Sequence, residues 1–169
     1  LKSALRFAAR EFQFYCDALN VPLPAAKKPR IEPFSAWELA QIGKALLPSA
    51  NHKNAGILLS ANGGLRLGEV CALRVSDIDF QNGTVRIERA AQRIRQNGNS
   101  RLIVQTPKGE SSVRIVRLPE DMMIFLKKAV SGLPENAYLL TGRSDKPMEP
   151  RNYQYYFESV LRRCGLKKR

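Results

Sequence analysis

Apolar residues recur every three or four positions toward both ends of the chain and alternate only in its middle, predicting helices on either side of a small sheet. Leu5, Ala8, Ala9, Phe12, Tyr15, Cys16 and Leu19 form the first stripe and predict a helix from Leu1 to about Val21. Pro22, Pro24, Pro29 and Pro33 follow closely; each fixes φ and lacks an amide donor, so residues 22–34 read as an extended linker. Ser35 and Glu38 then spell a capping box ahead of Trp37, Leu39, Ile42, Leu46 and Leu47, with Pro48 as the stop. Two further helices are predicted, one from about Lys53 to Ala61 ending at Asn62-Gly63-Gly64, the other from near Leu65 through Arg74.

Beyond Asp77 the period shortens to two. Thr84 to Arg89, Arg101 to Thr106 and Ser112 to Leu118 read as strands, separated by turn signals at Asn97-Gly98-Asn99 and Lys108-Gly109-Glu110. Three strands in succession predict an antiparallel meander, with Arg86 on the face turned away from the helices. Helical spacing returns at Met122, Met123, Phe125, Leu126 and Val130, opened by Pro119-Glu120-Asp121. Tyr138-Leu139-Leu140 reads as a short extended stretch, and Tyr153, Tyr156, Phe157, Val160, Leu161 and Cys164 mark a last helix closed by Gly165. The fold class expected is α+β, mainly α, with a small three-stranded antiparallel sheet.

Charge narrows the function. The 169 residues carry 28 Lys and Arg against 15 Asp and Glu, a formal net charge of +13. Such a field attracts polyanions, so a nucleic acid is the expected partner, while RNA-binding proteins and a solubilising surface remain open on charge alone. Cys16, Cys71 and Cys164 are far apart and His52 is the single histidine, which argues against a zinc site and for reduced, buried thiols in a cytoplasmic protein. No apolar run is long enough to span a membrane, and no signal segment is visible. A start at Leu1 rather than methionine points to a processed chain or a segment of something longer.

Two segments carry candidate chemistry. In Gly64-Leu65-Arg66-Leu67-Gly68-Glu69, an arginine follows two glycines at a helix start, where backbone can approach closely and a guanidinium can grip two phosphate oxygens. Glu69, three residues on, lies on the same face and can fix the arginine's fork; the residues alone also fit an ordinary surface Arg–Glu pair. In Thr106-Pro107-Lys108-Gly109-Glu110-Ser111-Ser112-Val113-Arg114, a lysine sits at a predicted hairpin tip with serines and an arginine behind it. Such a lysine can contact phosphate or protonate a leaving oxygen, or simply face solvent. Lys27, Lys28 and Arg30 in the linker, and Arg86, Arg93, Arg95, Arg101, Ser111, Ser112 and Arg114 around the sheet, are the candidate nucleic-acid contacts.

The order of these segments resembles the tyrosine recombinases, the phage-integrase family, from about Arg30 to Arg169. Ser35 to Leu39 resembles that family's first catalytic-domain helix, Gly64 to Glu69 its first arginine box, and Ser76 to Phe80 the approach to its sheet. The resemblance implies site-specific DNA recombination through a 3′-phosphotyrosine, without metal, ATP or other cofactor. Arg66 and Lys108 would be catalytic, with Glu69 in support. Residues 1–21 would be the last helix of a core DNA-binding domain, and residues 35–169 a partial catalytic domain. The family's His-x-x-Arg box and nucleophilic tyrosine have no counterpart here: the single histidine, His52, lies far upstream, and Tyr153, Tyr155 and Tyr156 precede the place of that box, Tyr153 and Tyr156 also lying on the apolar stripe of the last helix. Gly63 and Gly109 stand where the family more often has threonine. The expectation is therefore a chain that is monomeric in solution and binds double-stranded DNA without cleaving it, from a parent that assembles as a tetramer on DNA. The alternative is a non-enzymatic DNA-binding regulator or remnant of the same fold.

Overall fold

The computed structural model describes residues 2–22, 32–96, 98–106 and 113–167. It contains two compact units, Leu1–Glu32 and Pro33–Arg169. In the first, helix α1 spans Lys2–Glu11, shorter than the apolar stripe predicts. Gln13 adopts φ 48, a left-handed conformation that ends a helix, and a 3-10 turn follows at Asp17–Leu19. Lys2 Nζ donates to the carbonyl of Leu19 at 3.2 Å, tying the helix start to this turn.

The second unit opens with α2, Ala36–Leu46. Ser35 Oγ accepts from the Glu38 amide at 3.3 Å and Glu38 Oε2 from the Ser35 amide at 2.7 Å, so the predicted capping box forms. Ile42 and Leu46 are buried, whereas Trp37, Leu39 and Leu47 remain exposed. Helix α3, His52–Gly63, is capped by the Asn51 side chain and ended by Gly64 at φ 62. Helix α4 is only Leu67–Ala72, short of the expected run through Arg74. Its end is imposed from far along the chain: the Leu73 carbonyl accepts from the Leu139 amide at 2.8 Å, and Val75 donates to Ala137 at 3.0 Å. Tyr138 makes a lone bridge to Arg74 rather than joining a strand.

The sheet differs from the expected meander. Strands β1 (Ile78–Asp79), β2 (Thr84–Ile87) and β5 (Arg114–Arg117) form an antiparallel three-stranded sheet with β2 in the centre. Between β2 and β5 the chain makes a separate hairpin of β3 (Ala90–Gln96) and β4 (Asn99–Gln105), in register from Ala90↔Gln105 to Gln96↔Asn99. The predicted strand at Arg101 to Thr106 thus pairs with a strand that the alternation did not announce, and never meets β5. In β2, Val85 and Ile87 are buried and Arg86 points outward, as expected. In β5 the parity is Arg114 and Val116 inward, Ile115 and Arg117 outward.

Helices α5 (Glu120–Ala129) and α6 (Pro150–Arg163) complete the unit. Tyr153 Oη donates to the carbonyl of Lys53 at 2.7 Å, Tyr156 Oη bonds Asn54, and the Phe34 and Phe157 rings meet edge to face at 6.1 Å. These contacts hold α6 against α3 and the entry to α2. Leu46, Leu59, Val85, Leu126, Leu139, Leu140 and Val160 are wholly inaccessible to solvent. Each such aliphatic chain stabilises the fold by roughly 1.5–3 kcal/mol. Cys71 is buried, while Cys16 and Cys164, expected to be buried, are only partly so. No helix among the described residues is long and apolar enough to cross a membrane.

Candidate functional site

The turn between α3 and α4 sets the site. Gly64 takes a left-handed conformation that few other residues adopt readily, and the chain reverses there to present Arg66 as the residue capping α4. The close backbone approach expected of the two glycines occurs instead at Gly68. A Cβ there would lie 2.8 Å from the carbonyl oxygen of Ala91, so glycine lets α4 pack directly on β3.

Glu69 is the centre of this arrangement, with a carboxylate 1% exposed. Its Oε2 accepts from the Arg66 backbone amide at 2.8 Å, and its Oε1 from Arg66 Nη1 at 3.1 Å. Arg114, brought in by the inward parity of β5, donates through Nη1 to Oε1 at 3.0 Å and through Nη2 to Oε2 at 2.8 Å. Nη2 of Arg114 also reaches the carbonyl of Gly64 at 3.1 Å. Four donors therefore meet one carboxylate and fill its lone-pair directions. Burial alone would resist ionisation of Glu69. The hydrogen bonds from Arg114 and the Arg66 amide outweigh it and hold the carboxyl below its ordinary range.

The fork that the sequence assigns to Arg66 and Glu69 is thus made by Arg114 and Glu69. Arg66 gives Glu69 a single guanidinium nitrogen and keeps a side chain 72% exposed, against 29% for Arg114. Two guanidinium charges less one carboxylate leave a net unit positive charge, displayed by Arg66. This arrangement suits an anion that accepts two parallel N–H donors. Leu65 and Leu67, on either side of Arg66, line one wall of an apolar groove of about 420 Å³, shared with Phe34, Ile57, Tyr153 and Phe157.

The remaining basic candidates are partly committed to acids. Arg93 on β3 donates through Nε to Glu149 at 3.0 Å and through Nη1 to the Ser100 carbonyl at 3.2 Å, anchoring the hairpin to the residue that caps α6. Arg89 is held by Asp77 and Glu88. Arg86 lies 3.8 Å from Glu88. Arg95 and Arg101, on opposite strands of the hairpin, are exposed. Lys27, Lys28, Arg30, Lys108, Ser111 and Ser112 lie outside the described residues. Among the described residues no three His, Cys, Asp or Glu side chains gather as metal ligands. Burial pushes the Tyr153 hydroxyl well above its ordinary pKa, and its O–H already hydrogen-bonds the Lys53 backbone carbonyl.

Sequence reasoning placed Arg114 among the basic contacts and missed its place on Glu69. The available signal was parity: Arg114 shares its side of β5 with Val116 and Leu118. Val113 and Ile115, equally apolar, argued for the opposite face, yet both are exposed.

Residues 32–169 match the phage integrase family, and the chain belongs to that family, the tyrosine recombinases. A curated relative, the tyrosine recombinase XerC-like protein of Caldanaerobacter subterraneus subsp. tengcongensis, is 26% identical over 174 residues, covering 89% of this chain and 44% of its own length. The Tn1549 transposon integrase, solved in complex with transposon right end DNA, matches with a TM-score of 0.65 at 18% identity, over 96% of this chain and 55% of that one. A lambda integrase tetramer bound to a Holliday junction matches with a TM-score of 0.61 at 20% identity, over 99% of this chain and 44% of its own. The two structures establish the shared fold. The chain spans about half the length of these relatives.

Proposed function

We propose that this chain is part of a recombinase that cuts and rejoins duplex DNA through a 3′-phosphotyrosine, and that it supplies the phosphate-holding half of that chemistry. The observation that carries the reading is the buried Glu69 carboxylate gripped by Arg114, from which Arg66 projects a largely exposed guanidinium. Arg66 clamps the non-bridging oxygens of the scissile phosphate and stabilises the charge that grows on them. Lys108 protonates the leaving 5′ oxygen. Glu69 supports Arg66. Arg86, Arg95, Arg101 and the linker residues Lys27, Lys28 and Arg30 follow the DNA backbone, while Arg93 does so only by yielding its hold on Glu149. Energy of the broken bond is kept in the tyrosyl ester, so the exchange needs no metal or cofactor.

Residues 1–21 are read as the end of a core DNA-binding domain, joined through residues 22–34 to the partial catalytic domain of residues 35–169. The parent is a cytoplasmic enzyme of a mobile element or phage. It assembles as a tetramer on DNA, in the manner of the lambda integrase tetramer. This chain alone is a monomer in solution and binds DNA without cutting it: the Tyr153 and Tyr156 hydroxyls are committed to internal hydrogen bonds, and Tyr155, exposed beside Arg151 on the same helix, precedes the place of the family's nucleophile box. The same observation favours the second reading, a DNA-binding regulator or remnant that keeps the fold without the chemistry.

The test combines affinity for a fluorescent duplex across a salt series with a search for covalent protein–DNA adduct on a nicked duplex. Affinity falls steeply with salt, and Arg66→Ala lowers the slope of log K against log salt by about one. No adduct forms. Salt-independent binding, or tighter binding to structured RNA, overturns the DNA reading; adduct from the isolated chain overturns the division of labour.

A further inference from the structure

We infer that Arg114 is a positioning residue that keeps Glu69 from neutralising Arg66, and so sets the strength with which Arg66 holds phosphate. The inference rests on the proposed role of Arg66 as a phosphate clamp.

A carboxylate three residues along a helix from an arginine competes with any phosphate for that arginine. Glu69 is placed to do so, since its Oε1 lies 3.1 Å from Arg66 Nη1. Here the competition is blunted by geometry. Arg114 occupies both carboxylate oxygens at 3.0 and 2.8 Å, a parallel two-bond fork that matches carboxylate shape better than any single contact. The Arg66 amide takes a further position on Oε2 at 2.8 Å. The carboxylate plane is thereby fixed, and Arg66 is left with one side-chain contact and most of its surface in solvent.

Arg114 itself is poorly placed to hold phosphate. Its Nη1 and Nη2 are both directed at Glu69, and Nη2 also meets the Gly64 carbonyl at 3.1 Å. That last bond joins β5 to the left-handed turn that presents Arg66, so one side chain fixes both the charge balance and the position of the clamp. Without Arg114, Glu69 would be a nearly inaccessible carboxylate with Arg66 as its remaining guanidinium partner. Burial of an unpaired charge is unfavourable enough to draw Arg66 onto it. The phosphate site would then be closed by its own support.

The experiment is a double-mutant cycle on duplex DNA affinity in the intact chain at fixed salt, with Arg66→Ala as reference. Arg66→Ala and Arg114→Ala each weaken binding about tenfold, as expected for loss of one charge-assisted phosphate contact. Adding Glu69→Gln to Arg114→Ala removes the competing charge while keeping an acceptor for the Arg66 amide, and restores most of the loss. A general charge effect is measured by the same cycle at Arg117, outward on the same strand. There Glu69→Gln changes affinity by less than about twofold. Arg114→Lys, which keeps the charge but cannot fork, falls between Arg114→Ala and the parent and serves if Arg114→Ala does not fold.

Equal compensation in the Arg114 and Arg117 cycles overturns the inference, as does an Arg114→Ala loss that Glu69→Gln leaves in place. The latter result would make Arg114 a phosphate contact in its own right. If Arg66→Ala leaves affinity unchanged, the clamp reading fails first, which separates the two failures.

Discussion

Replacing Gly68 by alanine should destabilise this chain, although the same change in a helix ordinarily does the reverse. Gly68 lies in the first turn of α4, where alanine has the better helix propensity by about 1 kcal/mol. At Gly43, inside α2, a Cβ meets nothing within 4 Å. Gly43→Ala should therefore raise stability by about 0.5–1 kcal/mol. At Gly68 the added carbon would stand 2.8 Å from the Ala91 carbonyl oxygen, and ordinary contact begins near 3.4 Å, so helix and hairpin must part by about 0.6 Å. Neither side yields easily. The helix start is held by the Glu69 cluster and the hairpin by Arg93 on Glu149. Overpacking of this kind costs about 1–3 kcal/mol. With about 1 kcal/mol of helix propensity set against the clash, and roughly 2–4 °C per kcal/mol for a chain of this size, the Tm falls by up to about 8 °C. Calorimetry on the two variants side by side is the assay, with duplex affinity read on the same samples. Gly68→Ala should also weaken DNA binding, because the shift displaces Arg66 from the hairpin. If Gly68→Ala melts at or above the parent while Gly43→Ala gains as expected, the close approach of α4 to β3 is not a constraint and the reasoning fails.

Two further outcomes follow from titrating groups. Burial pushes the Cys71 thiol up to about 12, so at pH 8 only about one molecule in ten thousand holds the thiolate. Iodoacetamide should add to no more than Cys16 and Cys164 in the folded chain and to all three cysteines in denaturant; a third adduct under native conditions, seen by mass spectrometry, contradicts the buried placement. Glu69 titrates below its ordinary value of 4.5 when folded, so it binds fewer protons in the folded than in the unfolded chain. Its contribution is present above that value and is lost as pH falls through the folded pKa. Glu69→Gln should thus be less stable than the parent at pH 7, with the gap narrowing as pH drops below 4.5 in denaturant titrations; a gap that stays constant with pH refutes the pairing.

What the sequence disclosed and withheld divides by distance along the chain. The capping box at Ser35 and Glu38 spans three residues, and the buried face of β2 follows from alternation of neighbours, so both were legible. The stop of α4 depends on Leu139, far downstream, and no local pattern at Leu73 or Arg74 forecasts it. The hairpin was missed because Ala90-Ala91-Gln92-Arg93-Ile94-Arg95 has too few apolar positions to look like a strand. Its pairing satisfies the backbone while Arg93 is compensated by Glu149, 56 residues away. At the site, Arg66 and Glu69 could be read as a pair because they share one helical turn. Arg114 lies 45 residues from Glu69, and charge alone does not say which acid a given arginine will meet.

The attachment of α6 has a consequence for how the chain is made. Tyr153 and Tyr156 bond α3 residues 100 and 102 positions earlier, and Cys164 Sγ lies 3.7 Å from the Gln41 carbonyl, 123 positions earlier. A ribosome adding roughly 5–20 residues per second needs about 5–20 s to cover the stretch between α3 and α6. Late in that interval α2 and α3 have left the tunnel while the helix that covers them is still unwritten, and Ile57 and its neighbours lack their cover from Tyr153 and Phe157. Yield in cells should therefore depend less on the finished protein's stability than on translation speed through the codons for residues 64–150 and on holdase chaperones that shelter α2 and α3 meanwhile.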